Sequence, residues 1–146
     1  MVTRQSQAQW SGKLKDGQGT FQIGEKAIFE GQYSFPSRFE SGEGTNPEEL
    51  LAASHAACYS MALSAGLEKG GFEPKSVKTV AKVSLEKVGE GFEITTIELT
   101  TEADIPGIDE AQFMEFANGA KTGCPISKAL ASVKEIKLNA KLLASV

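Results

Sequence analysis

The chain has 146 residues, 40% hydrophobic and 23% charged, which are ordinary values for a single globular domain spanning residues 1–146. A formal net charge of −4 argues against nucleic acid as the main partner. Only two of the 15 basic residues are arginines, Arg4 and Arg38, so a site that needs a planar, permanent cation has two candidates.

The first residues, MVTRQSQAQW, contain no apolar stretch of the kind an export signal needs, which predicts a cytoplasmic location. In that compartment Cys58 and Cys124 are poor candidates for a structural staple. Residues 3–10 read as a polar edge strand ending at Trp10. Lys15 to Gly19 is a strong turn, followed by a strand through Thr20, Phe21 and Ile23. Residues 26–35 read as a third strand stopped by Pro36, and Ser37 to Gly44 as a loop carrying Arg38.

The next segment organises the chain. Asn46 is a good N-cap, Pro47 suits the first helical position, and Glu48 and Glu49 suit the positive end of the dipole. The predicted helix runs to Gly70-Gly71, with no charge between Leu50 and Leu67. A helix apolar on nearly every side is expected to be buried on nearly every side. Its alanines and serines make it too weakly hydrophobic for a membrane span.

After it, Ser76 to Val88 alternates, with Val77, Thr79, Ala81, Val83 and Leu85 on one face. Gly89-Glu90-Gly91 turns the chain into a strand from Phe92 to Ala103, broken by Pro106-Gly107. Asp109 and Gln112 form a capping-box pair at the start of a second helix. That helix is expected to bury Ala111, Phe113, Met114, Phe116 and Ala117. Cys124-Pro125 opens a short third helix, PISKALAS, with Cys124 at its N-cap. Residues 133–143 end as a strand with Ile136, Leu138, Ala140 and Leu142 on one face. The order βββ-α-ββ-α-α-β predicts an α+β fold in which an antiparallel sheet wraps a long central helix.

Two cysteines in such a chain are most simply small buried hydrophobes. Cys124 departs from that reading because a thiolate at an N-cap gains from the exposed N–H groups. Cys58 lies far beyond the first turn of its helix, so its anion would need a side chain from elsewhere. His55 stands three residues before Cys58, a spacing that permits a thiolate–imidazolium pair for acyl transfer. The simpler alternative is a histidine bonded to a nearby hydroxyl or backbone group. Two cysteines and one histidine, without CxxC or HxxxH spacing, fall short of a structural zinc set.

The segments TNPEELLAASHAACYSMALS and GCPISKAL resemble the OsmC/Ohr family, the osmotically inducible and organic hydroperoxide resistance proteins. The similarity runs from AQWSG through SRFESGEGTNPEEL and SLEKVGEGFEIT to the final strand, and HAAC and SRFESG place it in the OsmC branch. The resemblance implies thiol-dependent reduction of organic hydroperoxides, and hydrogen peroxide as a further substrate, by an intertwined homodimer. It implies no cofactor beyond an external dithiol reductant. By motif position Cys58 corresponds to the peroxide-attacking cysteine and Cys124 to the resolving one, which form a disulfide. Glu48 and Arg38 correspond to the active-site glutamate and arginine. Rival readings are a Cys58–His55 acyl-transfer enzyme and a non-catalytic dimer that binds an apolar ligand. If Glu48 serves Cys58, helix geometry favours its arrival from a second subunit. Ten residues separate the two by about 15 Å along the axis and about 80° around it.

Overall fold

In a computed structural model, which describes residues 1–144, the chain forms two compact units, residues 1–50 and the residues from Leu51 onward. In the first, β1 (Ser6–Ser11), β2 (Gln18–Ile23) and β3 (Phe29–Tyr33) form an antiparallel sheet in that order. The third strand is shorter than expected because residues 24–28 turn, with positive φ at Gly24 and at Ala27. The Tyr33 ring lies over Gly19 and the Phe21 ring over Gly31, and a Cβ at either glycine would collide with the ring.

The expected loop after β3 is instead partly helical. Ser34 caps α1 (Phe35–Phe39) and exchanges side-chain bonds with Ser37 in a full capping box, while Pro36 occupies the second helical position. The element order is therefore βββ-αα-ββ-αα-β.

Helix α2 (Pro47–Lys69) starts in the first unit and runs on through the second. Asn46 caps it: Oδ1 accepts the Glu49 amide at 2.8 Å, and Nδ2 donates to Glu49 Oε1. The helix ends at Gly71, whose φ of 88° is the left-handed conformation that glycine adopts freely. The Phe72 amide then returns to the Leu67 carbonyl and the Gly71 amide to Glu68, the Schellman arrangement. Only one stripe is fully buried, His55, Tyr59, Leu63 and Leu67, at the four-residue spacing of one helix face. Ala53, Ala57 and Met61 (76%) stay exposed, so the expected burial on all sides does not hold within one chain. With a mean hydropathy of 1.3, α2 is also long and apolar enough by composition to cross a membrane, contrary to the expectation. Here its buried stripe lies in a protein core.

That core belongs to the second unit. Strands β4 (Ser76–Val88) and β5 (Gly91–Asp104) form a long antiparallel hairpin with a bulge opposite Ser84/Leu85. The predicted alternation of β4 is present: Val77, Thr79, Ala81, Val83 and Leu85 are the less exposed residues. Ile97, Leu99 and Ala103 of β5 join Tyr59, Leu63 and Leu67 in one cluster with Phe113, Ala117 and Ala120. The last three lie on α3 (Glu110–Gly123), which has the predicted Asp109–Gln112 capping box. Ala111 is exposed and Ala120 is buried, so the inward face of α3 continues one turn further toward its C-terminus than expected.

Helix α4 is short (Pro125–Ala129), and β6 (Glu135–Leu142) presents Ile136, Leu138, Ala140 and Leu142 to the core cluster. β6 pairs parallel to β5, which corrects the expected all-antiparallel sheet. The connection through α3 and α4 carries the chain back to the starting end of β5 before β6 begins, as a parallel pairing requires.

Candidate active site

The two cysteines meet in the second unit. Cys58 lies on α2 between His55 and Tyr59 of the buried stripe and is half-buried. Cys124 closes α3, its amide donating to the Ala120 carbonyl, and is also the N-cap of α4. Pro125 disfavours helical backbone at Cys124, which sits at φ −59°, ψ 128°. That extended residue breaks α3 from α4 and turns its side chain fully out of solvent. Both are free thiols, with Cys124 Sγ 2.8 Å from Cys58 Sγ. A disulfide needs about 2.05 Å, so less than about 1 Å of approach would join them.

The two sulfurs titrate as one system. Burial and the neighbouring Cys124 push the Cys58 thiol up. For Cys124 burial acts in the same direction, but its contact with Cys58 and the polar groups of Ser127 and Ile126 at the start of α4 bring it down. Cys124 is the buried sulfur and Cys58 the reachable one. Burial also pushes the Tyr59 phenol far above its usual range, and its hydroxyl donates to the Ala117 carbonyl at 2.9 Å.

His55 does not pair with Cys58. Its Nε2 is 2.7 Å from Ser127 Oγ, and its buried Nδ1 has no hydrogen-bond partner. Burial lowers its pKa, so the ring is neutral at pH 7. The simpler reading of His55 holds, and the acyl-transfer pairing does not. Ser127 was missed in the sequence, although C-P-x-S is the N-cap-to-N3 spacing that could have found it.

Arg38 and Glu48 meet in the first unit. Arg38 Nη2 donates to Glu48 Oε1 at 2.6 Å, and Nε lies 3.2 and 3.1 Å from Oε1 and Oε2, a forked charge-assisted pair. The support is local. Ser37 Oγ donates to the Thr45 carbonyl at 2.7 Å, and Asn46 Nδ2 donates to the Ser37 carbonyl, so α1 is laced to the start of α2. The guanidinium carbon also stands 5.3 Å from the Phe39 ring centroid. Beside it a cavity of about 230 Å³ is lined mainly by Trp10, Leu14, Tyr33, Phe35 and Phe39. Ser37 belongs to the α1 capping box, which the sequence reading does not include, and Asn46, expected only as the α2 N-cap, also ties back to the Ser37 carbonyl. Among the described residues, no three His, Cys, Asp or Glu side chains converge as a metal site would require.

Residues 40–139 match the family model described as OsmC-like protein. The chain belongs to that family. It is 46% identical over 141 residues to the peroxiredoxin OsmC of Escherichia coli K12, covering 97% of each chain. It is 35% identical over 104 residues to the organic hydroperoxide resistance protein OhrB of Bacillus subtilis, covering 70% of this chain and 74% of that one. Among solved structures, an organic hydroperoxide resistance protein OsmC from Legionella pneumophila superposes with a TM-score of 0.73. That match covers 97% of this chain and 99% of the other at 23% identity, a likeness of fold.

Proposed function

We infer that this OsmC-family protein is a thiol-dependent peroxidase that reduces organic hydroperoxides and takes hydrogen peroxide as a further substrate. The carrying observation is the pair of contacting free thiols, one reachable and one buried. Cys58 thiolate attacks the O–O bond, becomes a sulfenic acid, and releases alkoxide, which takes a proton from water. Cys124 thiolate displaces hydroxide from the Cys58 sulfenic acid and forms the disulfide. An external dithiol then reduces that bond and is itself oxidised to a disulfide. No cofactor enters this cycle. A cytoplasmic location, where reducing thiols are abundant, suits the last step.

Cys58 is pushed up by burial, and the groups acting on the sulfurs are hydrogen-bond donors and one another, so attack near pH 7 calls for a cation. Arg38 has the right chemistry: a planar guanidinium with donors for both the thiolate and the peroxide oxygens, steered by Glu48. Glu48 stands ten residues along α2 from Cys58, a gap its side chain cannot bridge, so the Arg38–Glu48 pair would come from a second subunit. The exposed apolar stripe Ala53, Ala57 and Met61 supports a homodimer in which the central helices pack about a two-fold axis. We treat residues 1–146 as one domain, because α2 and the family match both cross residue 50.

The test is hydroperoxide consumption with a dithiol supplied. Wild type should turn over, Cys58→Ser should not react, and Cys124→Ser should react once without cycling. Equal activity in all three proteins would exclude this reading.

A further inference from the structure

His55 and Ser127 are buried polar side chains that the reaction cycle above does not use. His55 Nε2 stands 2.7 Å from Ser127 Oγ, a bond from α2 to α4 across 72 positions of sequence. The other ring nitrogen, Nδ1, is buried without a partner, so among the described residues the ring's polar contact is this bond alone. An apolar residue would fill such a space with no unpaired nitrogen, so the bond to Ser127 is what the imidazole adds there. The two sulfurs repeat the pairing one turn away. Cys58 follows His55 by three residues on α2, and Cys124 precedes Ser127 by three residues at the start of α4. Residues three apart on a helix are surface neighbours. The His55–Ser127 bond and the 2.8 Å Cys58–Cys124 contact are therefore adjacent rungs between the same two segments. Helix α4 needs such a rung. Its five residues are too few for a helix to hold its own place, and Cys124 makes no side-chain cap bond to it. The place of the Cys124 sulfur is thus set by the backbone on either side, the end of α3 and the start of α4. In α4, Ser127 is buried while Pro125 and Lys128 are exposed.

We propose that His55 and Ser127 are positioning residues whose bond clasps α4 to α2 and holds Cys124 Sγ within reach of Cys58 for closure of the disulfide. The inference rests on the peroxidase reading above. In closure, Cys124 Sγ forms the S–S bond as the S–O bond of the Cys58 sulfenic acid breaks, and the departing hydroxide takes the Cys124 proton to become water. The clasp orders α4 before the reaction, which raises the effective concentration of one sulfur at the other. Linkage makes the effect reciprocal: the clasp stabilises the disulfide as much as the disulfide stabilises the clasp.

The test uses the full-length protein and takes two readings. One is the equilibrium of the intrachain disulfide against dithiothreitol, which needs no peroxide. The other is the rate of disulfide closure after one equivalent of cumene hydroperoxide, followed beside the rate of Cys58 oxidation. Ser127→Ala should lower both the equilibrium constant and the closure rate about tenfold, the scale of one buried hydrogen bond, with Cys58 oxidation changed less than about twofold. Ser127→Thr, which keeps the hydroxyl, should restore both. His55→Leu should match Ser127→Ala, and the double variant should be no worse than either, because both changes remove the same bond. If Ser127→Ala does not fold, His55→Gln against His55→Leu decides the matter, since only glutamine can still bond to Ser127. An unchanged disulfide equilibrium in Ser127→Ala, additive losses in the double variant, or identical behaviour of the two His55 variants overturns the proposal. A shifted equilibrium in a protein that consumes no hydroperoxide would overturn the peroxidase reading instead.

Discussion

The two units carry two pairs of candidate site residues, built on opposite principles. Arg38 and Glu48 in the first unit form a forked ion pair that is partly open to water, with side-chain exposures of 35% and 12%. Caps, a carbonyl-bound serine and a capping asparagine hold it, so its order comes from polar bonds within a short stretch of chain. Cys58 and Cys124 in the second unit are 66 residues apart and meet beside an apolar core. The difference follows from desolvation: a permanent cation is expensive to bury, whereas a thiol can be stored dry and neutral. In the thiol pair one sulfur is fully buried and the other remains reachable.

The comparison breaks most completely at the sulfurs. Cys58→Ser should lower hydroperoxide turnover by at least about 1,000-fold, since no other thiol is both nucleophilic and reachable. Free-thiol titration and non-reducing mass after one equivalent of peroxide should show wild type with no free thiols and an unchanged monomer mass under denaturing conditions. A covalent dimer as the main product would remove Cys124 from resolution.

A smaller loss is expected in the charged pair. Arg38→Lys keeps the charge but not the fork, and should slow turnover about 10- to 100-fold, the scale of one or two charge-assisted bonds. Circular dichroism should be unchanged, because the pair is partly solvated. Co-refolding Cys58→Ser with Glu48→Ala protein probes which chain supplies the pair. Mixed dimers should regain activity at one of their two sites, while no recovery in verified heterodimers would argue against a shared site.

Acid should distinguish the units further. Burial depresses the pKa of His55 in the folded state, so the unfolded chain, with its histidine near the ordinary value of about 6.5, binds that proton more readily. The resulting stabilisation is fully present above about pH 6.5 and is lost as pH falls through the folded value. Denaturant midpoints taken between pH 7.5 and 5.5 should fall for wild type and change less for His55→Gln. The chain has a single histidine, so no other imidazole obscures the comparison. The smallest effect belongs to the cap beneath Arg38: Ser34→Ala should cost about 1 kcal/mol by thermal melting and loosen the ion pair's support.

Local signals located most elements because their causes are local. Asn46-Pro47, Gly70-Gly71, Asp109 with Gln112, and the alternation of Ser76 to Val88 each state a boundary or a face within a few residues. The α1 helix escaped notice because five residues give no periodicity, and its only announcement is the Ser34–Ser37 box. The two motifs around the cysteines carried the family resemblance, and with it the candidate residues Arg38, Glu48, Cys58 and Cys124. Tertiary structure alone decided the rest: the parallel pairing of β5 with β6, the forked geometry of Arg38 on Glu48, and the 2.8 Å contact between the sulfurs. It also decided that His55 faces Ser127 rather than Cys58. The three-residue spacing of His55 and Cys58 made their pairing possible, but a side chain from a helix end 72 positions away took the ring nitrogen. Spacing along a helix says which groups can meet, and only packing between distant segments says which of them do.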